Sequence, residues 1–271
     1  MKQFSMTPML PLSTKHFSLS THETSYPSST KAVLLILDIQ HTVDTHAAII
    51  HTLQSIATVY CMEINNLSVS PESFHWNPAS SDIQSELYEI TKSLPVLSIC
   101  IGQGLGARLL EWLPIHRTHD LLCNPTFPTA ELSVLNWVTY VLNLNTEGHT
   151  QWFNNLIRQS WIDALPFPTN GPAPWIASDV ERQTLSGQNL TNGTWRSIFQ
   201  IVLTQPKWNS NDHILLMGSE SPTVETFTAA KVHSYCSGSQ CSYKFFSGQR
   251  QELLLAEHVQ QDILQFCKEL T

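Results

Sequence analysis

The run Val96-Leu97-Ser98-Ile99-Cys100-Ile101 leads straight into Gly102-Gln103-Gly104-Leu105-Gly106-Ala107 and then Arg108-Leu109-Leu110. The first part is too short for a helix and too continuously apolar for a half-solvated strand, so it reads as a strand buried on both faces. Glycine at every second position lets the chain turn sharply and lets the following helix approach the strand closely. A buried strand, a tight glycine turn and a helix are the repeating unit of an α/β protein with a mostly parallel sheet, and this segment therefore constrains the fold class most.

The rest of the chain repeats that rhythm. Strands are predicted at 32–37, 58–64, 96–101, 120–123, 213–217 and 243–246, and helices at Thr45–Ile56, Asp82–Lys92, Leu105–Leu113, Val224–Tyr235 and Gln251–Leu270. Between about Pro128 and Pro206 the pattern breaks into a Trp- and Pro-rich stretch with helical pieces at Glu131–Leu144 and His149–Asp163. The 271 residues fit one core carrying an insertion. The expected organisation is an N-terminal segment (1–30) with edge strands, a core at 31–127 and 206–271, and a helical cap at 128–205. A cap so inserted would cover the carboxyl edge of the sheet, where α/β proteins bind ligands.

Composition narrows the function. A net charge of −8 with no basic run argues against nucleic acid and anionic lipid as partners. No apolar run is long enough for a membrane span, and the stretch from Met1 to Phe17 lacks the apolar core of a signal peptide, so the expectation is a cytoplasmic protein. Cys61, Cys100 and Cys123 lie in apolar runs and read as small hydrophobes, while Cys236 and Cys241 have no second Cys/His pair with which to build a zinc site. No metal and no cofactor is expected. His41, His46 and His51 recur at intervals of five, which does not align them on one helical face as metal ligands, and they read as solvated surface.

The glycine turn itself admits three readings. Gly102, Gly104 and Ala107 satisfy G-x-G-x-x-G/A, the turn that cradles a dinucleotide pyrophosphate, although the next strand ends in Cys123-Asn124-Pro125 without the acid that would hold a ribose. Gly102 and Gly106 also satisfy the flanking glycines of a nucleophile elbow, G-x-S-x-G, with Gly104 at the nucleophile position. A connection with no chemistry is the third.

The order of segments resembles the α/β-hydrolases of the monoglyceride lipase, lysophospholipase and serine aminopeptidase group, over roughly residues 30–127 and 206–271. Gly248-Gln249-Arg250-Gln251-Glu252-Leu253-Leu254-Leu255-Ala256-Glu257 is similar to that group's Gly-x-Arg-His-Glu-Leu-Leu-x-Glu, with Gln251 at the histidine position. Leu215 to Val224 resembles the strand and turn that present the acid, with Ser221 in its place. Asp38-Ile39 stands for the group's early His-Gly, and Gly193-Thr194-Trp195 is a faint match in the cap. The strand ending Asp38-Ile39-Gln40 also resembles the opening of isochorismatase-like cysteine hydrolases, but the lysine and cysteine loops of that family have no counterpart.

The resemblance implies an α/β-hydrolase-like fold in which Gly104, Ser221 and Gln251 are degenerate triad positions. Glycine supplies no nucleophile, glutamine does not shuttle a proton near pH 7, and serine does not stabilise an imidazolium. The expectation is a pseudoenzyme that binds a small apolar or amphipathic molecule, scaffolds, or regulates. A protein partner or a second copy of the chain would fit the scaffolding role. Its ligand site would comprise Asp38, Ile39, Gln103, Gly104, Leu105, Trp195, Ser221 and Gln251. Two alternatives stay open: an active lysophospholipase- or esterase-like hydrolase with relocated groups such as Glu220 or Glu225, and a nucleotide-binding protein using Gly102, Gly104 and Ala107.

Overall fold

The computed structural model describes residues 12–26, 29, 31–39, 41–69, 73–114, 119–123, 189–203, 213–220, 240–247 and 253–269. Eight strands form the main sheet: β1 (Leu12–Ser13), β2 (Phe17–His22), β3 (Ala32–Ile36), β4 (Thr58–Ile64), β6 (Ile99–Gln103), β7 (His119–Cys123), β9 (His213–Glu220) and β10 (Gln240–Ser247). Two short strands, β5 (Ser73–Phe74) and β8 (Asn189–Leu190), pair in parallel as a separate ribbon. The main sheet runs β1-β2-β4-β3-β6-β7-β9-β10. The β1–β2 and β2–β4 pairs are antiparallel, and every pair from β4 through β10 is parallel.

Alternation along the strands divides the core between two faces. Leu34, Ile36, Tyr60, Met62, Cys100, Leu122 and Leu216 face one layer, formed by α2 (Ser80–Thr91), α3 (Leu105–Leu110) and α4 (Asn192–Leu203). Val33, Leu35, Val59, Cys61, Ile99, Ile101 and Leu121 face the other, formed by α1 (Ala47–Gln54) and α5 (Glu257–Glu269). In α5 the buried residues Val259, Ile263 and Cys267 recur every four positions, the single apolar stripe of a helix lying on a sheet. The start of α2 is stabilised by Asp82, whose carboxylate accepts the Ala79 N–H at 3.3 Å.

Strand positions agree with the sequence expectations within a few residues, with one informative difference. The ladder of β6 begins at Ile99, opposite Val33, and runs through Gly102 and Gln103, opposite Leu122 and Cys123. Val96 is 90% exposed and belongs to the approach, so the turn is compressed onto Gly104 alone. The expected C-terminal helix is broken into a 3₁₀ turn, Leu253–Leu255, and α5. The predicted helices Val224–Tyr235, Glu131–Leu144 and His149–Asp163 lie outside the described residues. The end of the 128–205 stretch forms β8 and α4, and α4 buries Trp195, Ile198, Phe199 and Ile201 in the same cluster as α2 and α3.

Candidate functional site

The carboxyl ends of β3 and β6 lie side by side at the centre of the sheet, and the loops that leave them build the site. Gly104 has φ +56° and ψ −117°, a conformation that L side chains rarely adopt and that glycine reaches with little penalty. Its N–H donates to the carbonyl of Cys123 at 2.9 Å, which ties the turn to the end of β7. Two residues on, a Cβ at Gly106 would meet the carbonyl oxygen of Ile36 at 2.4 Å, so α3 can rest on the end of β3 only because that position is glycine.

Asp38, just past the end of β3, points its carboxylate at this turn. Oδ1 accepts the N–H of Ile39 at 2.8 Å and the N–H of Leu105 at 2.9 Å. Oδ2 would lie 1.8 Å from a Cβ placed on Gly104, so the carboxyl group fills the volume into which a side chain at that position would grow. Burial raises the Asp38 carboxyl from the usual carboxylate range to about 7, with the bonds from Leu105 and Ile39 pulling it part of the way back.

Gln103, buried beneath the turn, joins the site to the end of the chain. Its Oε1 accepts the N–H of Leu254 at 3.1 Å, and its Nε2 lies 3.4 Å from Nδ1 of His41. That amide orientation makes Nδ1 of His41 the acceptor, which requires a neutral imidazole. Gln260 Nε2 donates to the Leu254 carbonyl at 2.8 Å, so both backbone groups of Leu254 are held. The segment three residues beyond Gln251 is thereby anchored one residue from Gly104.

His41 and His46 overturn the expectation of a solvated histidine cluster. They are 4% and 0% exposed, and their rings lie 4.8 Å apart at 33°. Burial, and then the neighbouring His46, lowers His41 well below the ordinary imidazole value, and burial lowers His46 to about 4. His51, on α1, is the exposed member of the three. The spacing of five misled because His46 lies in the 3₁₀ turn Asp44–His46 ahead of α1, which folds it back toward His41.

Of the residues singled out from the sequence, Asp38, Ile39, Gln103, Gly104 and Leu105 converge on this one turn. Trp195 is 2% exposed and packs against Phe199 at 6.0 Å, in the layer that holds α2 and α3. Ser221 and Gln251 lie outside the described residues, as does Glu225. Sequence reasoning read His41 and His46 as solvated surface and so left them out of the site. Cys61, Cys100 and Cys123 are buried, as expected. Among the described residues no group of three or more His, Cys, Asp or Glu side chains is arranged around a metal position, and no helix is long and apolar enough to cross a membrane.

No family model matches the chain, and no curated protein matches it in sequence. Solved structures match it closely in shape. A thermostable carboxyl esterase from Bacillus coagulans, in complex with glycerol, superposes with a TM-score of 0.70 over 96% of this chain and 98% of its own at 12% identity. A soluble variant of monoglyceride lipase from Saccharomyces cerevisiae, bound to a substrate analog, gives 0.65 over 100% and 98% at 10% identity. A lipase in an open form gives 0.64 over 94% of each chain at 12% identity. At such identities the likeness is one of fold.

Proposed function

Taking the α/β-hydrolase fold as the premise, we propose that this chain is a pseudoenzyme, a binding, scaffolding or regulatory protein that has kept the hydrolase frame without serine-hydrolase chemistry. The observation that carries the reading is the pairing of Gly104 with Asp38. Gly104 holds the strained backbone of a nucleophile elbow yet presents no side chain, and the Asp38 carboxylate stands in the vacated volume. The same carboxylate takes the N–H of Leu105, the residue after the elbow, whose amide in this fold would steady a tetrahedral oxyanion. One internal acid thus fills the nucleophile's volume and occupies the oxyanion donor.

Ser221 and Gln251, at the acid and histidine positions of the resemblance, favour the same reading. The ligand class in keeping with such a site is a small apolar or amphipathic molecule held above Gly104. The absence of a basic run and of a long apolar helix among the described residues suits a cytoplasmic protein with no nucleic-acid partner. Nucleotide binding at the same turn is disfavoured, because a phosphate would meet the Asp38 carboxylate at the Leu105 amide.

The test is a p-nitrophenyl acyl-ester assay run beside labelling with a fluorophosphonate probe, with peptide mapping of any adduct. No ester turnover above buffer and no labelled serine is the expected result. A labelled serine, or turnover abolished by a single serine substitution, would return the chain to the active esterase-like hydrolases.

A further inference from the structure

The two oxygens of the Asp38 carboxyl group are not equivalent. Oδ1 accepts both backbone donors, the N–H of Ile39 at 2.8 Å and the N–H of Leu105 at 2.9 Å. Oδ2 has no hydrogen-bond partner among the described residues, although Asp38 is only 2% exposed. It is also the atom nearest to where a side chain at Gly104 would begin, so it faces whatever the elbow holds. When the carboxyl group is neutral its proton resides on Oδ2, because the acceptor sites of Oδ1 are already taken by the two N–H groups. Asp38 then presents a single O–H donor above Gly104.

We propose that Asp38 is the specificity-determining residue for a monocarboxylic acid with an apolar tail, whose carboxylate accepts the Oδ2–H hydrogen bond so that the two acids share one proton. This deepens the pseudoenzyme reading and rests on it, since the site is taken to hold a small amphipathic molecule without turning it over. One proton between two carboxyl groups makes a charge-assisted O–H···O⁻ bond, roughly twice as strong as a neutral one. With two protons that assistance is lost, and with none the like charges repel. A free monocarboxylic acid titrates in the ordinary carboxylate range, near ~4.3 for a glutamate side chain. Burial lifts Asp38 to about 7, so between the two values the pair carries the one proton it needs. A phosphate monoester brings up to about two charges near neutrality, more than one proton answers.

The groups on the surrounding elements set the background for this titration. His41 and His46, from the loop beyond β3, are lowered by burial, His46 to about 4, and are neutral in that window. Burial pushes the Cys123 thiol of β7 up. Arg108 of α3 is paired with Glu111, and Glu63 of β4 accepts the Val43 N–H. Asp44 ahead of α1, and Glu257 and His258 at the start of α5, are exposed.

The test titrates the full chain with octanoate, and in parallel with 1-octanol, by calorimetry from about pH 6 to about pH 8.5, and repeats both with Asp38→Asn. Octanoate should bind the wild type at pH 6 and weaken about tenfold for each pH unit above 7, with uptake of one proton on binding at the alkaline end. Asparagine keeps an oxygen for the two N–H groups and turns a permanent N–H donor to the same place, so Asp38→Asn should hold octanoate at its pH 6 affinity throughout. The uncharged 1-octanol should bind both proteins with little response to pH. An octanoate profile that falls equally in Asp38→Asn would overturn the proposal, as would the absence of octanoate binding to the wild type at pH 6. Binding of 1-octanol without octanoate would overturn it too, while leaving the pseudoenzyme reading intact. A serine labelled by the fluorophosphonate probe strikes that reading instead, whatever octanoate does.

Discussion

The Asp38 carboxylate and Gly104 exclude each other's alternatives: Oδ2 of Asp38 would lie 1.8 Å from any Cβ at position 104. The two positions are 66 residues apart in the chain, yet each is intelligible only through the other. An acid at 38 requires glycine at 104, and glycine at 104 leaves a volume that an acid at 38 fills.

Gly104→Ala should therefore be strongly destabilising. Placing a side chain at φ +56° costs about 1–3 kcal/mol in backbone strain, and overlap with the carboxylate adds about 1–3 kcal/mol. In the double variant Gly104→Ala with Asp38→Ala only the first contribution persists. Urea denaturation of the four proteins should give a coupling of about 0.5–3 kcal/mol in the direction of rescue. Additive losses would show that the two side chains do not compete for one space.

Asp38→Asn should alter how stability responds to pH. The folded carboxyl titrates at about 7 against 3.8 in the unfolded chain, so between those values the folded state holds a proton that the unfolded state has released. The contribution of Asp38 to stability is therefore full below pH 4 and is lost as pH rises through 7, by up to about 4 kcal/mol at 1.36 kcal/mol per unit. Asparagine keeps an oxygen for the two N–H groups and does not titrate. The variant should be the more stable protein at pH 8, with the advantage vanishing near pH 4. His46, lowered to about 4, produces the opposite trend between 4 and 6.5, but it does so in both proteins and cancels in the comparison.

Glu111 supplies a different measurement. Its carboxylate lies 3.1 Å from Nη1 of Arg108, both side chains are 2% exposed, and Nη2 of Arg108 donates to the Ile201 carbonyl of α4 at 3.3 Å. Glu111→Ala removes the carboxylate beside a buried guanidinium and should cost about 3–5 kcal/mol. Arg108→Met combined with Glu111→Leu should cost less than Glu111→Ala alone, measured by thermal unfolding.

Gln103→Leu removes the acceptor for the Leu254 N–H, and a buried donor left without its partner costs about 1–3 kcal/mol. Hydrogen exchange at Leu254 should accelerate well beyond that of Ile263 in the middle of α5. Equal acceleration at both amides would mean that the glutamine supports the whole fold and not the Leu254 segment.

Much of this was legible in the chain. The continuous apolar runs around Leu34, Tyr60, Ile101, Leu121 and Leu216 gave the parallel sheet, because a strand buried on both faces leaves no other pattern. The glycines at 104 and 106 marked the sharp turn and the close approach of α3. The site was legible only in part. That Asp38 and Gly104 both depart from the hydrolase pattern could be read from the sequence, but not that one departure fills the space left by the other. His41 and His46 were misread because polarity suggested solvent, whereas the fold of the 3₁₀ turn decided their burial.

The pairing of β5 with β8 has a consequence in time. His75 and Thr191, whose side chains lie 2.9 Å apart, are separated by 116 residues, and Thr194 accepts the Trp76 N–H across a similar span. A chain growing from the ribosome has Phe74 and Trp76 in place long before the residues that cover them exist. Until α4 emerges, the layer over β4 and β6 lacks its Trp195 and Phe199 contacts and presents bare indole and phenyl surface. The nascent chain therefore carries this uncovered apolar surface over the interval needed to make those intervening residues, and a truncation before Thr191 would leave the surface uncovered permanently.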